Sequence, residues 1–513
     1  MTTKEIIPLT EATVRFCGDS GDGMQITGSQ FTSTTGLAGN DLMTFPDFPA
    51  EIRAPAGTLA GVSGFQIHFS SQEIFTPGDR VDVLVAMNPA ALKANLADLK
   101  PGGVILYNED SFDERNWQKV GYSIHPMEDA SIQSNYKIIP VPITKLTRIA
   151  LADTGLAQNV IDRCKNFFAL GLAYWMYDRD SASTIAWLEA KFKKKPELIE
   201  ANKKALQAGL NYAETTELFH DRWQIAAAKL EKGIYRNISG NGAIALAMVA
   251  ASEKSGLPAL LASYPITPAS DILHQVSQYK NFNIKTFQAE DEIGAMGAAL
   301  GAAYAGCLGF TTTSGPGMAL KVEAINLAVM TELPVVIFDI QRAGPSTGLP
   351  TKTEQTDLFH VLFGRPGESP LPVLAAARPA DAFETALEAV RIALKFMTPV
   401  IVLSDAYIAN GSEPWRLPAV EDITAIASGR IAPGTEPNGY KVYARDPQTL
   451  ARRWAVPGVA GFEHRIGGIE KHELTGNVNY DPLNHEKMVH TRAAKVAGVA
   501  RSLPRLQIYG EEK

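Results

Sequence analysis

The sequence predicts an α/β protein: two parallel-sheet α/β domains in succession, then an irregular C-terminal arm. Three observations carry that expectation. Short β-branched runs alternate with helical patterns, as in a parallel sheet whose strands are buried on both faces. The character of the chain changes twice, near residues 232–241 and again after Pro414. A chain of 513 residues also exceeds what one hydrophobic core sustains. The expected domains are residues 1–230, 231–414 and 415–513.

The elements follow in order. Residues 12–17 read as a strand that runs into Gly18-Asp19-Ser20-Gly21-Asp22-Gly23, and a helix follows over about 24–37. Buried strands are expected at 81–87, 103–107 and 136–141. From 181 to 230 the pattern is helical and charged, and Lys191, Lys193, Lys194 and Lys195 read as a solvated face. Gly240-Asn241-Gly242 opens an apolar helix over 243–251. Strands are then expected at 310–313, 335–339 and 400–403. Beyond 414 the chain turns rich in Pro, Gly and charge with weak periodicity, the signature of an arm that wraps a partner. There is no internal repeat.

Composition excludes several classes. Hydrophobic residues make up 45% and charged residues 20%, as in an ordinary soluble protein. A net charge of −7 argues against nucleic acid as a partner. The first nine residues lack the apolar core of a signal peptide, and a cytoplasmic location is expected. The uncharged run over residues 293–310 is Gly- and Ala-rich, so it reads as a buried, closely packed helix and not a membrane span. Cys17, Cys164 and Cys307 are scattered, without a CxxC pair. They supply neither a disulfide framework nor the four thiolates of a [4Fe–4S] cluster, and they fit a reducing compartment.

Several stretches carry groups that chemistry requires. Gly18, Gly21 and Gly23 stand between a strand and a helix, where backbone amides reach a phosphate. The GxxGxG spacing is not that of dinucleotide folds, and an ordinary turn accounts for it equally. Arg53, in Pro46-Asp47-Phe48-Pro49-Ala50-Glu51-Ile52-Arg53, either meets such a phosphate or pairs with Glu51 or Asp47. Glu290, Asp291 and Glu292 precede a small-residue helix, as a helix cap or as a working carboxylate. Arg342 offers a planar guanidinium to a carboxylate. Thr267 sits in Pro265-Ile266-Thr267-Pro268, a stiff turn that fixes its hydroxyl.

Together, Ser263-Tyr264-Pro265-Ile266-Thr267-Pro268, Gln288 to Ala295, Thr311 to Gly317 and Arg342 to Thr351 resemble the pyrimidine-binding domain of the thiamine diphosphate-dependent 2-oxoacid:ferredoxin oxidoreductases. The glycine turn and the 45–57 block resemble that family's gamma domain, which contributes to coenzyme A binding. Gly468, Glu470 and 479–489 resemble the C-terminal arm of alpha subunits fused to gamma domains. The resemblance implies a fused gamma-alpha subunit of the 2-oxoglutarate type, with the gamma domain first. Longer relatives continue into another α/β domain near where this sequence stops, so a shortened form is expected.

What the resemblance implies can be set out residue by residue. Glu292 is the carboxylate that partners the aminopyrimidine ring and shares a proton with it. Thr267, Arg342 and Thr351 contact the 2-oxoacid, and Arg365, in Gly364-Arg365-Pro366-Gly367-Glu368, meets a distal carboxylate. Tyr264, Pro265 and Ile266 border the cofactor. Gly18, Gly21, Gly23 and Arg53 serve coenzyme A. No metal ligand is expected on this chain. Gly21-Asp22-Gly23 opens like a diphosphate-metal motif, but Asn40 comes too early to complete it. A beta subunit therefore holds the diphosphate with Mg²⁺ and the [4Fe–4S] cluster, in an (alpha-beta)₂ heterotetramer that exchanges electrons with ferredoxin. The implied reaction joins 2-oxoglutarate and coenzyme A to give succinyl-CoA, CO₂ and two electrons, or runs in reverse as CO₂ fixation. A pyruvate or broad-specificity enzyme is the alternative of the same class. A non-catalytic coenzyme A- or nucleotide-binding subunit is the alternative of another, and such a subunit has no need of Glu292, Thr267 and Arg342.

Overall fold

The computed structural model describes residues 5–50, 54–432, 434–436, 438–505 and 510. The chain divides into two compact units. One contains residues up to Ile238 together with Gly411–Leu417; the other contains Ser239–Asn410 and the chain from Pro418 onward.

The first unit begins with β1 (Glu5–Leu9) and β2 (Glu11–Asp19), continues through β3 (Asp41–Asp47), β4 (Val62–Ser70), β5 (Val81–Ala86), β6 (Leu99–Asn108) and β7 (Lys137–Val141), and ends with β8 (Asp221–Ile225) and β9 (Tyr235–Ser239). Six of these form one sheet in the order β3-β4-β2-β5-β6-β7. From β2 to β7 the strands are parallel, as expected. β3 and β4 add an antiparallel edge that the sequence did not announce. The reason is that β4, VSGFQIHFS, interrupts its apolar residues with Gly64, Gln66 and His68. Gln66 is nonetheless buried, because it accepts from Arg15 and donates to the carbonyls of Pro77 and Gly78. Phe16, Phe31, Phe69, Tyr174 and Tyr177 fill the core, with ring centroids 5.2–6.0 Å apart along the chain of contacts. The charged 181–230 segment is helical over Ala182–Lys191 and Pro196–Thr215, with Pro196 at a helix start.

The second unit is a doubly wound sheet of β10 (Ala259–Ser263), β11 (Ile284–Gln288), β12 (Leu308–Thr313), β13 (Val335–Gln341), β14 (Val373–Ala375) and β15 (Val400–Asp405). All are parallel, in the order β11-β10-β12-β13-β15-β14. β16 (Ser412–Arg416) then leaves this unit and pairs with β9 in the first. The expected buried helix over 293–310 needs correction. It is a helix over Glu292–Tyr304, and the apolar run ends by entering β12. One face, with Ala295, Met296, Ala299 and Ala303, is buried; Ile293, Gly294, Gly297 and Gly301 are exposed. Small residues on every face conceal which side packs. No described helix is long and apolar enough to cross a membrane.

The arm is irregular from 418 to 481 and then forms a helix, Pro482–Val499, with Asp481 as its cap and Pro482 in its first turn. Its anchor is Glu332, 1% exposed at the end of the helix Gly315–Thr331. Arg445 forks onto both its oxygens at 2.7 and 2.8 Å, and Lys495 pairs with it from the arm's helix. These cations hold the Glu332 carboxyl far below the usual carboxylate range despite its burial.

Candidate active site

In a parallel sheet, ligands settle at the carboxyl edge where successive connections leave in opposite directions. Here that point lies between β10 and β12, since β11 flanks β10 on the other side. The loop after β10 carries Tyr264–Pro268, the loop after β12 carries Ser314–Gly317, and the loop after β13 begins with Arg342. The connection after β11 leads into Glu292.

Glu292 is the first residue of its helix, 9% exposed. The cap beside it is Asp291, whose carboxylate accepts from the Gly294 N–H at 2.7 Å. The two acids therefore divide the readings offered for them: Asp291 caps, and Glu292 is left for other work. Lys321 approaches from the neighbouring helix and donates to the Glu292 carbonyl at 2.7 Å. Burial pulls the Lys321 ammonium down to about 8, against the pull of Glu292 and Asp291. Gly317 lies so close that a Cβ there would meet Thr313 Oγ1 at 2.2 Å and Glu292 Cγ at 2.7 Å. Only glycine leaves space at that carboxylate.

Arg342 is 7% exposed. Its Nη1 donates to the Thr267 carbonyl at 2.7 Å and its Nη2 to the Thr347 carbonyl at 3.1 Å, while its buried Nε has no partner in the protein. Burial lowers the Arg342 pKa, and the charges of Asp357 and Glu292 oppose that. The structure thus brings Glu292, Thr267 and Arg342 to one edge. The Thr267 side is exposed, Pro265 is exposed, and Tyr264 and Ile266 are half-buried in the same loop. Thr351 is half-buried at the far end of the Arg342 loop. Arg365 stands apart from this group. Its guanidinium donates to the carbonyls of Val361 and Ser369, bracing its own loop.

Two carboxyls went unremarked in the sequence. Asp339, at the end of β13, is fully buried with neither oxygen partnered in the protein. Burial, then the charge of Asp357, pushes it well above the usual carboxylate range. Asp357 is raised as well, and its N–H donates to Gln341 at 3.0 Å. An acid placed in a β-branched strand was the available signal, as was one lysine, Lys321, in an otherwise apolar helix.

In the first unit, Gly18 ends up within β2 and Gly21 and Gly23 in the turn that follows. A cavity of about 160 Å³ opens at that carboxyl edge, bordered by Asp19, Asp22, Asn88 and Lys165. Gly23 takes φ +78° against Asn166, a conformation that favours glycine. Asp19 accepts from the Gly57 N–H, and burial raises its pKa. Lys165 pairs with Asp22 at 2.8 Å. A second hollow of about 440 Å³ shares Lys165 and adds Lys145 and Arg148. Arg53 lies outside the described residues.

Comparison with known proteins agrees with this geometry. Residues 252–479 match the family "Pyruvate flavodoxin/ferredoxin oxidoreductase, thiamine diP-bdg", and 13–212 match "Pyruvate ferredoxin/flavodoxin oxidoreductase". The 2-oxoglutarate oxidoreductase subunit KorA of Mycobacterium tuberculosis is 57% identical over 491 residues, 96% of this chain and 75% of that one. Subunit alpha of 2-oxoacid:ferredoxin oxidoreductase 1 from Aeropyrum pernix is 30% identical over 391 residues, covering 74% of this chain and 59% of its own. The solved 2-oxoglutarate:ferredoxin oxidoreductase of Magnetococcus marinus, with 2-oxoglutarate, coenzyme A and succinyl-CoA bound, superposes with a TM-score of 0.83 at 30% identity, over 98% of this chain and 82% of that one. With both units matched in order and the edge of the second built as described, the chain belongs to the 2-oxoacid:ferredoxin oxidoreductase family of enzymes.

Proposed function

We propose that this chain is the gamma-alpha subunit of an oxidoreductase that converts 2-oxoglutarate and coenzyme A to succinyl-CoA and CO₂, passing two electrons to ferredoxin, or runs the reverse carboxylation. The observation that carries it is the convergence of Glu292, Thr267 and Arg342 on one switch-point edge.

Those residues fit thiamine diphosphate. Gly317 leaves room at Glu292, and the unpartnered Nε of Arg342 is a donor in want of an acceptor. The bound cofactor supplies a site for the electrons released on decarboxylation. Glu292 holds the aminopyrimidine nitrogen and carries the proton exchanged with it. Arg342 orients the 2-oxoacid by its carboxylate, with Thr267 and Thr351 beside it, and the loop of Tyr264, Pro265 and Ile266 borders the ring. Arg365 has five N–H donors and spends three on carbonyls. The other two serve a distal carboxylate, which favours 2-oxoglutarate over pyruvate.

A beta subunit completes the site with the diphosphate, its Mg²⁺ and a [4Fe–4S] cluster, in an (alpha-beta)₂ assembly. Apolar side chains left exposed around the edge support this: Phe287, Ile293 and Leu349, with Phe359 and Phe363 about three-quarters exposed. The first unit serves coenzyme A, through the Gly18–Gly23 turn, the hollow that Lys145, Arg148 and Lys165 line together with Asp110 and Asp162, and Arg53. The test is the purified complex with a viologen dye, comparing 2-oxoglutarate with pyruvate and omitting coenzyme A in turn. Coenzyme A-dependent dye reduction with 2-oxoglutarate supports the reading. Preference for pyruvate corrects the substrate, and no 2-oxoacid oxidation at all refutes it.

A further inference from the structure

The arm brings four cations around the buried ring of Tyr443, namely Arg445, Arg452, Lys471 and Arg492, and Lys495 stands beside Arg445 and Arg452. Among the described residues two carboxylates, Glu332 and Glu470, pair within that group. Glu332 is consumed by Arg445 and Lys495. Arg452 and Lys495 also end on the carbonyls of Thr331 and Met397, at the negative ends of two helices. Three cations are thereby answered.

Lys471 and Arg492 are not. They are 1% and 3% exposed. The nearest carboxylate to both is Glu470, at 3.9 Å from Lys471 Nζ and 3.8 Å from Arg492 Nη2, beyond hydrogen-bond reach. Its oxygens are already engaged, one by the Lys471 N–H at 2.9 Å and the other by His485 at 2.7 Å. Lys471 Nζ, Arg492 Nε and Nη1 and the Tyr443 hydroxyl are buried without a hydrogen-bond partner in the chain. Donors and positive charge therefore collect at one place with no acceptor, which is the costliest way to bury a cation.

We propose that Lys471 and Arg492 together bind a small inorganic anion of chloride size, sealed where the arm closes over Tyr443. The occupant is small because the two side chains are almost wholly enclosed. It is an anion and not water because water brings no charge to offset two buried cations. Burial and the neighbouring arginines pull the Lys471 ammonium down to about 8, with Glu470 opposing; an anion in contact relieves that. The site is independent of the catalytic reading, and its role is to fasten the irregular part of the arm, at Tyr443 and Lys471, to the arm's own helix at Arg492.

The test uses the full chain in complex with its partner subunit. Melting temperature is measured against chloride, with an organic sulfonate holding ionic strength constant. A saturable rise on the order of 2–4 °C is expected, and Lys471→Met should abolish it. Crystals grown in bromide should show an anomalous peak between Lys471 and Arg492. Should Lys471→Met fail to fold, the wild-type titration and the bromide map decide by themselves. A water at that position overturns the proposal. So does a bromide peak without chloride-dependent melting, which marks an adventitious ion only.

Discussion

Arg342 allows the sharpest prediction, because the structure apportions its donors. Nη1 and Nη2 each give one N–H to a loop carbonyl, and Nε gives none. On the proposed function, the Nε and a second N–H of one Nη are the donors left for the substrate carboxylate, the fork arrangement. Arg342→Lys keeps the charge and can still reach a carbonyl, but it loses that fork. One charge-assisted hydrogen bond is worth about 1.5–3 kcal/mol, so kcat/KM for the 2-oxoacid should fall roughly 10- to 150-fold. KM for coenzyme A should stay within about twofold, since no transition-state contact to it is removed. Arg342→Ala additionally frees the loops at Thr267 and Thr347 and should lose more. Steady-state kinetics in each substrate, with a thermal melt of the same preparations, separates binding from folding. Equal loss of kcat/KM for both substrates in Arg342→Lys, at unchanged melting temperature, refutes the assignment.

Glu292→Gln should lower turnover by roughly 10²- to 10⁴-fold with the assembly intact, because its backbone contact to Lys321 is untouched; near-normal turnover would mean that it only supports its helix. Glu332→Gln should cost about 3–5 kcal/mol in urea unfolding, since it strands two buried cations. The wild-type contribution has a definite sign with pH. The folded pKa of Glu332 lies below its unfolded value of 4.5, so its stabilisation is full above that value and drains away as pH falls below it. The Gln variant should lack that acid-sensitive part. Finally, the chain purified alone should be colourless and inactive by iron analysis and viologen assay, regaining activity only with its partner; a [4Fe–4S] spectrum would contradict this.

Much of this was legible because strand and helix periods are written by apolar residues. The helix over 24–37 and the cores of β12, β13 and β15 stand where β-branched runs placed them. β4 was not legible, since its buried Gln66 is satisfied by groups distant in sequence, which no local pattern records. The helix Pro482–Val499 was hidden by its low hydrophobicity, although Asp481-Pro482 spelled its start. At the edge of the second unit, Glu292, Thr267 and Arg342 were singled out by the resemblance of the stretches around them; read alone, each fitted a cap, a turn or an ion pair equally. Lys321 and Asp339 act only through what packs on them, and burial is a tertiary fact.

The pairing of β9 with β16 has a consequence for how the chain is made. The Leu417 N–H reaches the Ile234 carbonyl at 2.9 Å, and Ser412 is tied to Thr44 on β3. The first unit thus reserves a place for a segment the ribosome delivers only after Ser239–Asn410 of the second. At about 5–20 residues per second, some 170 intervening residues postpone that strand by roughly 10–35 seconds. During synthesis the first unit waits with an open ribbon while the second takes shape. A gene cut in two between β9 and β16 would never deliver the missing strand to the first product, whereas one cut after Leu417 would.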